Sequence, residues 1–265
     1  MTGTLQGRLF IRAAPGSGMD ELPESHPRYE SLLTRHRIEE GVELGITSPQ
    51  GLIAQGRGEA FDYLLGEETI PSADGAARAA AAQLLLADHP VISVNGNVAA
   101  LVPGEVVDLA EATGADIEVN LFNRTEERME AIADHLRDHG AEDVKGLTAD
   151  ARIPGLDHER AKVDADGIYD ADVVVVPLED GDRAEALAAM GKTEIVIDLN
   201  PMSRSARAAA VPIVDNIIRA VPNVTAHARE LADANREELE AIVEEFDADA
   251  ARAAAERAIR EGELA

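Results

Sequence analysis

Residues 173–183 have the sequence Val-Val-Val-Val-Pro-Leu-Glu-Asp-Gly-Asp-Arg and carry the clearest structural signal in the chain. Four β-branched residues in a row, followed at once by acidic and glycine positions, are typical of a strand that is buried on both faces and ends in a polar loop. Glu194-Ile-Val-Ile197 repeats the pattern and leads into the polar segment 198–204. Both segments predict strands of a mostly parallel sheet.

On either side of these strands, short apolar segments alternate with amphipathic ones. Further strands are predicted at Val91-Ile-Ser-Val94, at residues 116–122 and 211–214, and weakly at 143–147. Asn123 is a residue type that caps helices, and the helix predicted after it ends at Gly140. From Ile217 the chain is largely helical, and the other predicted helices span residues 31–44, 76–87, 105–112, 237–246 and 248–261.

The pattern predicts a Rossmann-like α/β fold: a mostly parallel sheet with flanking helices, an N-terminal helical arm and C-terminal helices. Residues 1–22 mix Gly, Pro, Ser and Thr without a sustained period, so they are predicted to form a loosely ordered extension. Residues 23–265 then form a single α/β domain. Residues 150–168 are irregular, polar and long enough to be a functional loop.

The composition limits both the chemistry and the partners. Cysteine is absent, which excludes disulfides, thiolate metal sites and cysteine nucleophiles. The 51 acidic and 24 basic residues give a formal charge of −27, which repels nucleic acid and anionic membranes and favours small-molecule partners. Because the apolar runs are too short to span a bilayer and the N-terminal residues lack a secretory pattern, the expected location is cytoplasmic.

The acidity is interpreted as an adaptation to salt. Only Lys145, Lys162 and Lys192 are lysines, so arginine supplies nearly all the positive charge, as in halophilic proteins. Carboxylates keep a surface hydrated in concentrated salt, where screening removes most of their mutual repulsion. An acidic protein from an ordinary environment is the alternative. In either case the few remaining cations are mostly arginines, which makes each arginine a stronger candidate for a functional role.

The polar loops after the predicted strands are the candidate site. In an open parallel sheet, ligands bind beyond the carboxyl ends of the strands, where loops and helix N-termini meet. Four polar clusters fall at such positions, which favours a phosphate-bearing small molecule as the ligand. They are Asn95-Gly96-Asn97, Asn123-Arg124-Thr125, Glu179-Asp180-Gly181-Asp182-Arg183 and Asp198-Leu199-Asn200-Pro201-Met202-Ser203-Arg204.

Each cluster also has a structural interpretation. Gly96 would let the backbone approach a phosphate, yet an ordinary strand-to-helix turn has the same sequence features. Arg124 at a helix start would place a cation beside an anion, although it opposes the helix dipole when nothing is bound. The loop at residues 155–162 gathers His158, Arg160 and Lys162, which suit an anionic substrate and a proton acceptor, or are simply solvated charges.

Two tempting motifs are rejected. Gly191-Lys192-Thr193 resembles the end of a phosphate-binding P-loop, but Ala186 stands where that motif needs glycine, and the triplet precedes a strand. Asn123-Arg124-Thr125 suits the extra phosphate of NADP, but the first strand ends in Asn-Gly-Asn where a glycine-rich fingerprint belongs. An NADP-dependent oxidoreductase is therefore only the second candidate, and a non-catalytic ligand sensor is the third.

Longer segments resemble one family. In order along residues 25–246, the chain is similar to archaeal 4-phosphopantoate–β-alanine ligases, also called phosphopantothenate synthetases. The segments that carry the resemblance are Ser25-His-Pro-Arg-Tyr29, Gly51-Leu-Ile-Ala54, Gly56-Arg-Gly-Glu-Ala-Phe-Asp-Tyr-Leu64, Val94-Asn-Gly-Asn-Val-Ala-Ala-Leu-Val-Pro103, Asn120-Leu-Phe122, Arg124-Thr-Glu-Glu-Arg128, Ile153-Pro-Gly155, Val176-Pro-Leu-Glu-Asp-Gly-Asp-Arg183 and Asp198-Leu-Asn-Pro-Met-Ser-Arg-Ser-Ala-Arg207.

The resemblance implies a homodimeric, Rossmann-like enzyme of coenzyme A biosynthesis. Such an enzyme joins 4-phosphopantoate to β-alanine while it converts ATP to AMP and pyrophosphate. The N-terminal extension and the loss of surface lysine depart from the family without touching these segments. By resemblance, the residues that bind ATP are Arg35, Arg57, Asp198, Leu199, Asn200, Arg204, Ser205, Asn216 and Ile217.

The chemistry of that reaction suggests further roles. A carboxylate is a poor acyl donor, so an acyl adenylate forms first, and Arg35, Arg57 and Arg204 would stabilise the departing pyrophosphate. Mg²⁺ is expected, bound mainly by phosphate oxygens and by Asp180 or Asp182.

The substrate phosphate is assigned to the turn Asn95-Gly96-Asn97 with Arg124, and Arg28 and Arg160 are the alternatives. The amine needs a proton acceptor, with His158 or Glu159 as candidates, unless proximity alone suffices. Arg57, Asp182 and His158 are therefore the predicted catalytic residues.

Overall fold

The structure, a computed structural model, describes residue 23, residues 25–178 and residues 181–262. The predicted N-terminal extension, residues 1–22, lies outside these described residues. So do Glu179 and Asp180, and with them one of the two predicted metal ligands.

A five-stranded parallel sheet forms the centre of the described chain, in the order β2-β1-β5-β6-β7. This confirms the predicted α/β fold. A separate antiparallel pair, β3-β4, lies in the polar region between β2 and β5. The strands are β1 Pro90–Val94, β2 Asp116–Val119, β3 Ala151–Arg152, β4 Lys162–Val163, β5 Val173–Pro177, β6 Thr193–Ile197 and β7 Val211–Ile213.

Helices cover both faces of the sheet and continue at both ends of the described chain. They are α1 Tyr29–Glu43, α2 Pro49–Leu65, α3 Pro71–Leu86, α4 Gly96–Leu101, α5 Pro103–Thr113, α6 Glu126–Asp138, α7 Gly181–Ala189, α8 Arg204–Ala208, α9 Ile217–Glu230, α10 Arg236–Glu245 and α11 Ala248–Glu261. None of the helices in the described ranges is long and apolar enough to cross a membrane.

The central strands are buried on both faces, as their β-branched composition predicts. Every residue of β1 and β5 is buried, which is typical of parallel strands covered by helices. On one face, α3 presents a run of alanines, residues 79–82, all at most 1% exposed. Their short side chains let α3 pack closely on α9, so this acidic protein builds part of its core without large apolar residues.

Helix α2 is the main element that the sequence pattern did not predict. The glycines and mixed apolar positions of the segment 56–62 conceal the helical period, so the sequence favours an arm over a site, or a dimer contact, here. In the structure residues 49–65 form a continuous helix that begins at Pro49, and proline suits the first helical turn. Pro71 likewise starts α3 earlier than the predicted residue 76.

The predicted boundaries around β2 and α6 also need correction. Strand β2 ends at Val119 rather than at residue 122, and the weak strand at 143–147 is reduced to a single bridge between Lys145 and Glu118. Thr125, not Asn123, caps α6, since its side chain accepts a hydrogen bond from the backbone N–H of Arg128 at 3.3 Å. The helix therefore starts later and places Arg128 in its first turn.

The predicted polar loop at residues 150–168 is organised by two buried carboxylates. Glu118, fully buried on β2, accepts hydrogen bonds from the backbone N–H groups of Asp164 (3.1 Å) and Ile168 (2.6 Å). The Asp164 carboxylate accepts in turn from Gly146 and Ala149. The segment that carries His158 is therefore tied to the sheet by Glu118.

Glu118 should give the stability of the protein a distinctive pH dependence. Burial raises its pKa from the ordinary 4.5 to about 7. The native state therefore binds more protons than the unfolded state between these values, and the free energy of unfolding contributed by Glu118 is lost as the pH rises through 7. The loss amounts to roughly 3 kcal/mol, at about 1.4 kcal/mol for each pKa unit.

The measurement compares wild type with Glu118→Gln, which does not titrate. In denaturant unfolding at about pH 5 and about pH 8, the unfolding free energy of wild type minus that of the variant should fall as the pH rises. A difference that stays constant or grows would show that the native pKa of Glu118 is not raised.

Candidate active site

The candidate site lies where the order of the strands reverses. From β1 the chain moves to β2 on one side and later to β5 on the other, which makes the β1-β5 edge the switch point at which open α/β sheets bind ligands. Asn95 joins the two strand ends there, because its Nδ2 donates to the Pro177 carbonyl at 3.1 Å. Its Oδ1 accepts from the backbone N–H groups of Asn97 and Val98 and so caps α4.

The predicted phosphate turn, Asn95-Gly96-Asn97, lines a cavity, but its side chains are engaged within the protein. Asn97 accepts from the Thr47 hydroxyl and donates to the Gly51 carbonyl at 3.0 Å. A Cβ at Gly96 would lie 2.5 Å from the Ile46 carbonyl, so only glycine fits here. The turn therefore connects α2 and the strand ends, and the cations on the cavity wall are the stronger candidates for binding a phosphate.

This first cavity has a volume of about 300 Å³, and three arginines line it. Arg128 donates to the carbonyls of Asn123 (2.7 Å) and Ile46 (3.1 Å), and burial lowers its pKa. Arg160 is 8% exposed, and Arg57 reaches the cavity from α2. Three arginines on its wall make this cavity suitable for a phosphorylated or carboxylated ligand.

Arg128 of α6, rather than the predicted Arg124 just before this helix, lies on the wall of this cavity. Arg124 donates to the Gly146 carbonyl at 2.6 Å and is not among the lining residues, whereas Arg128 is. The segment 124–128 carries the signal for both arginines, which stand four residues apart in the sequence. Thr125, as the true cap, turns Arg128 toward the strand ends.

A second cavity, of about 170 Å³, is formed by the loop after β6. The loop is rigid, since the Asp198 carboxylate accepts from Asn200 N–H and from the Ser203 hydroxyl, and Ser203 caps α8. A Cβ at Gly181 would lie 2.5 Å from Cβ of Arg204, so glycine lets α7 and α8 approach each other. The structure brings together six of the predicted nucleotide ligands around this cavity: Arg57, Asp198, Leu199, Asn200, Arg204 and Ser205.

Arg57 is the residue that these cavities share. It lines the first and second cavities and also a third, largely apolar cavity of about 390 Å³ between α2 and α11. Its only hydrogen bond within the described part of the chain is from Nε to the Ala54 carbonyl, at 3.4 Å. Among those residues no carboxylate forms an ion pair with it. Its charge is therefore available to a ligand.

Arg28 and Arg35 do not reach these cavities. Both donate to the carboxylate of Glu59, which also accepts from Tyr63, on the side of α2 that faces away from Arg57. These hydrogen bonds hold the pKa of Glu59 below its ordinary value and raise that of Arg35. Arg35 is therefore not among the residues that line the cavities where other predicted nucleotide ligands lie.

Asn216 and Ile217 are buried beneath α2 rather than exposed in a cavity. Ile217 is 1% exposed and belongs to the core, and Asn216 donates from Nδ2 to Asp62 at 3.0 Å. In this structure Asn216 supports α2, and Ile217 packs in the core. Their role as nucleotide ligands stays a prediction.

His158 and Asp182, predicted separately from the sequence, lie together. His158 Nε2 donates to Asp182 Oδ2 at 3.0 Å, and the imidazole lies 5.5 Å from the ring of Phe122, which lines the first cavity. Partial burial acts to raise the pKa of Asp182, but the hydrogen bonds from His158 and from Arg183 N–H hold it below its ordinary value. The pair therefore joins the polar loop to the start of α7.

The predicted metal ligands receive little support from this geometry. Both oxygens of Asp182 are engaged, by His158 and by Arg183 N–H, and Asp180 lies outside the described residues. Across residues 25–178 and 181–262, no group of three or more His, Asp or Glu side chains is arranged to hold a metal ion. Any metal at this site would be held mainly by oxygens of the bound small molecule, such as phosphate oxygens.

Comparison with known proteins gives a consistent result. The family model described as phosphopantothenate/pantothenate synthetase matches residues 72–262. A protein of Thermococcus onnurineus named 4-phosphopantoate–beta-alanine ligase is 61% identical over 230 residues, covering 86% of this chain and 88% of its own length. Proteins with the same name from Thermococcus kodakarensis and Methanosarcina mazei are 60% and 56% identical, covering 86% of this chain and 88% and 90% of their own lengths.

Proposed function

Since the chain belongs to the phosphopantothenate/pantothenate synthetase family, we propose that it joins the carboxylate of 4-phosphopantoate to the amine of β-alanine. The product, 4′-phosphopantothenate, is an intermediate on the way to coenzyme A. The protein is thus a carbon–nitrogen ligase. The observation that carries this function is the similarity over most of the chain, together with the two polar cavities that meet at Arg57.

The two cavities suit the two phosphorylated substrates. ATP takes the second cavity, where the rigid loop 198–203 and Arg204 surround it. Phosphopantoate takes the first cavity, with its phosphate against Arg128 and Arg160, so Arg128 replaces Arg124 in this role. The reacting carboxylate and the α-phosphate then meet beside Arg57. Mg²⁺ accompanies the nucleotide and is bound mainly through phosphate oxygens.

The reaction proceeds in two steps. A carboxylate oxygen of phosphopantoate attacks the α-phosphorus of ATP, pyrophosphate departs, and an acyl adenylate remains. Arg57 and Arg204 stabilise the charge that builds on the leaving group. The free amine of β-alanine then attacks the acyl carbon, forming the amide bond and releasing AMP.

His158 is the proton acceptor in the second step. The amine must lose a proton to become and remain an amide, and an imidazole is suited to accept it near neutral pH. Asp182 holds the imidazole by its Nε2–H, which leaves Nδ1 as the accepting atom. Nδ1 is buried and has no hydrogen-bond partner within the described residues.

Product analysis tests the proposed function directly. Purified protein in high salt should release AMP and pyrophosphate in step with amide formation, only when phosphopantoate and β-alanine are both present. Because the mechanism passes through an adenylate, ADP should not appear. Formation of ADP and phosphate would exclude the adenylate route, and absence of amide under all salt conditions would exclude the ligase function.

The exposed face of α2 supports a homodimer. Leu52, Ile53, Tyr63 and Leu64 are between 42% and 76% exposed on this helix. Of its two acidic residues, Asp62 is buried, and Glu59 lies beside Tyr63 with its charge paired by Arg28 and Arg35. A largely apolar surface on a protein with a net charge of −27 is typical of an interface. A second copy on this face would cover the region beside Arg57.

Ile53→Glu tests this interface. Ile53 is 76% exposed, so the substitution costs little within one chain but places a charge at the centre of the proposed contact. Light scattering in high salt should give the mass of two chains for wild type and of one chain for Ile53→Glu. Glu244→Ile, an exchange between the same two residue types at an exposed position of α10, is the control and should leave the mass of two chains unchanged. If the Ile53→Glu protein were still dimeric, the interface would not lie on this face of α2.

A further inference from the structure

Helix α2 is attached to the rest of the protein at two polar points. Near its start, Asn97 donates to the Gly51 carbonyl at 3.0 Å, and a Cβ at Gly51 would lie 2.4 Å from Oδ1 of Asn97. Near its end, Asp62 meets residues at the start of α9. Arg57 lies between these points on the same helix, so both attachments determine where its guanidinium group is placed.

The attachment at Asp62 is buried, and both oxygens of its carboxylate accept hydrogen bonds. Its Oδ1 accepts from Arg219 at 2.6 Å and its Oδ2 from Asn216 Nδ2 at 3.0 Å. Arg219 also donates to Asp215, whose other oxygen accepts from the Thr69 hydroxyl at 2.6 Å. The side chains of Asp62 and Asp215 are 2% and 1% exposed.

Such a network adds little net stability, because burying its charges removes them from water. Burial raises the pKa of both Asp62 and Asp215, although Arg219 opposes the shift. Buried ion pairs often stabilise no more than an apolar contact of the same volume, and in some systems their contribution is to select one arrangement. Two hydrogen bonds in different directions prevent α2 from sliding or rotating on α9, as an apolar contact would not.

We infer that Asp62, held by Asn216 and Arg219, is a positioning residue that fixes α2 so that Arg57 lies between the two polar cavities. This inference rests on the proposed function, because Arg57 acts there on the reacting phosphate. Asp62 itself lines neither polar cavity. Its effect on the reaction therefore passes through Arg57.

The test is a double-mutant cycle of Asp62→Ala and Arg57→Ala. A misplacement of about 1 Å costs up to ~10²-fold in rate, so Asp62→Ala should lower kcat/KM for ATP by roughly 10- to 100-fold. In the Arg57→Ala background the same substitution should change kcat/KM by less than about twofold, because the group it positions is gone. Asp62→Asn, which keeps the shape, should have a smaller effect of the same kind.

Asp74→Asn is the matched structural control. Asp74 accepts from Asn223 (3.1 Å) and His227 (3.1 Å) and so ties α3 to α9 without touching α2. Its variant should lower the thermal midpoint while kcat/KM stays unchanged. An equal loss of activity from Asp62→Ala in both backgrounds would reduce Asp62 to a purely structural residue.

Failure of the variant to fold and failure of the proposed function are distinguished from failure of this inference. If Asp62→Ala does not fold, Asp62→Asn is carried through the same cycle. If wild type forms no amide, the proposed ligation fails, and the cycle is measured by calorimetry of ATP binding instead. The inference is supported if substitution of Asp62 lowers the affinity for ATP only when Arg57 is present. It is overturned if the affinity falls equally with and without Arg57.

Discussion

Arg57→Ala is expected to lower kcat/KM for amide formation by ~10²- to 10³-fold, the usual effect of removing one preorganised group that stabilises transition-state charge. Arg57 lines both polar cavities, and its charge is not neutralised by any carboxylate among the described residues. Because its side chain makes only a long hydrogen bond to Ala54, the free energy of unfolding should change little. Steady-state kinetics and denaturant unfolding on the same samples measure both effects.

Arg236→Ala is the matched control for the change in charge. Arg236 is exposed at the start of α10, outside the cavities, and among the described residues it pairs only with Glu240, one turn later. Its loss changes the net charge by the same amount and should leave kcat/KM unchanged. If Arg57→Ala retained activity within about threefold of wild type, Arg57 would not be the group shared by the two substrates.

His158→Ala should separate the two steps of the reaction. General-base catalysis contributes ~10²- to 10⁴-fold, and only the attack of β-alanine requires it. Amide formation should therefore fall by that factor. Exchange of labelled pyrophosphate into ATP in the presence of phosphopantoate, which reports only adenylate formation, should persist near the wild-type rate.

Two comparisons sharpen this result. Asp182→Asn keeps the imidazole in place but removes the negative charge that stabilises its protonated form, so it should show the same separation with a smaller loss. Hydroxylamine is largely unprotonated at neutral pH and needs less help, so hydroxamate formation by His158→Ala should approach that of wild type. Parallel loss of exchange and amide formation would instead assign His158 to substrate binding or local structure.

Local patterns predicted the sheet and the loop after β6 because both depend on neighbours along the chain. Buried parallel strands reveal themselves by runs such as residues 173–176, and the carboxyl ends of such strands must share one edge. The nucleotide candidates between Asp198 and Ser205 lie within eight consecutive positions, so placing the strand also placed them. The family resemblance then suggested the ligands.

Long-range contacts determined everything that joins the two cavities. The orientation of Arg128 depends on the Ile46 carbonyl, 82 residues away, and the placement of α2 depends on Arg219, 157 residues from Asp62. His158 comes from the polar loop and Asp182 from the first turn of α7, 24 residues later, and Glu118 ties that loop to the sheet.

The sequence by itself determined the sheet, the edge that binds ligands and the chemical types of the residues there. Periodicity and strand-end rules involve only residues that are close along the chain. Only the tertiary structure decided which arginines line the cavities, and that a polar clamp at Asp62 holds the helix that carries Arg57. Side-chain direction and helix placement are set by hydrogen bonds between distant segments, whose partners no local pattern specifies.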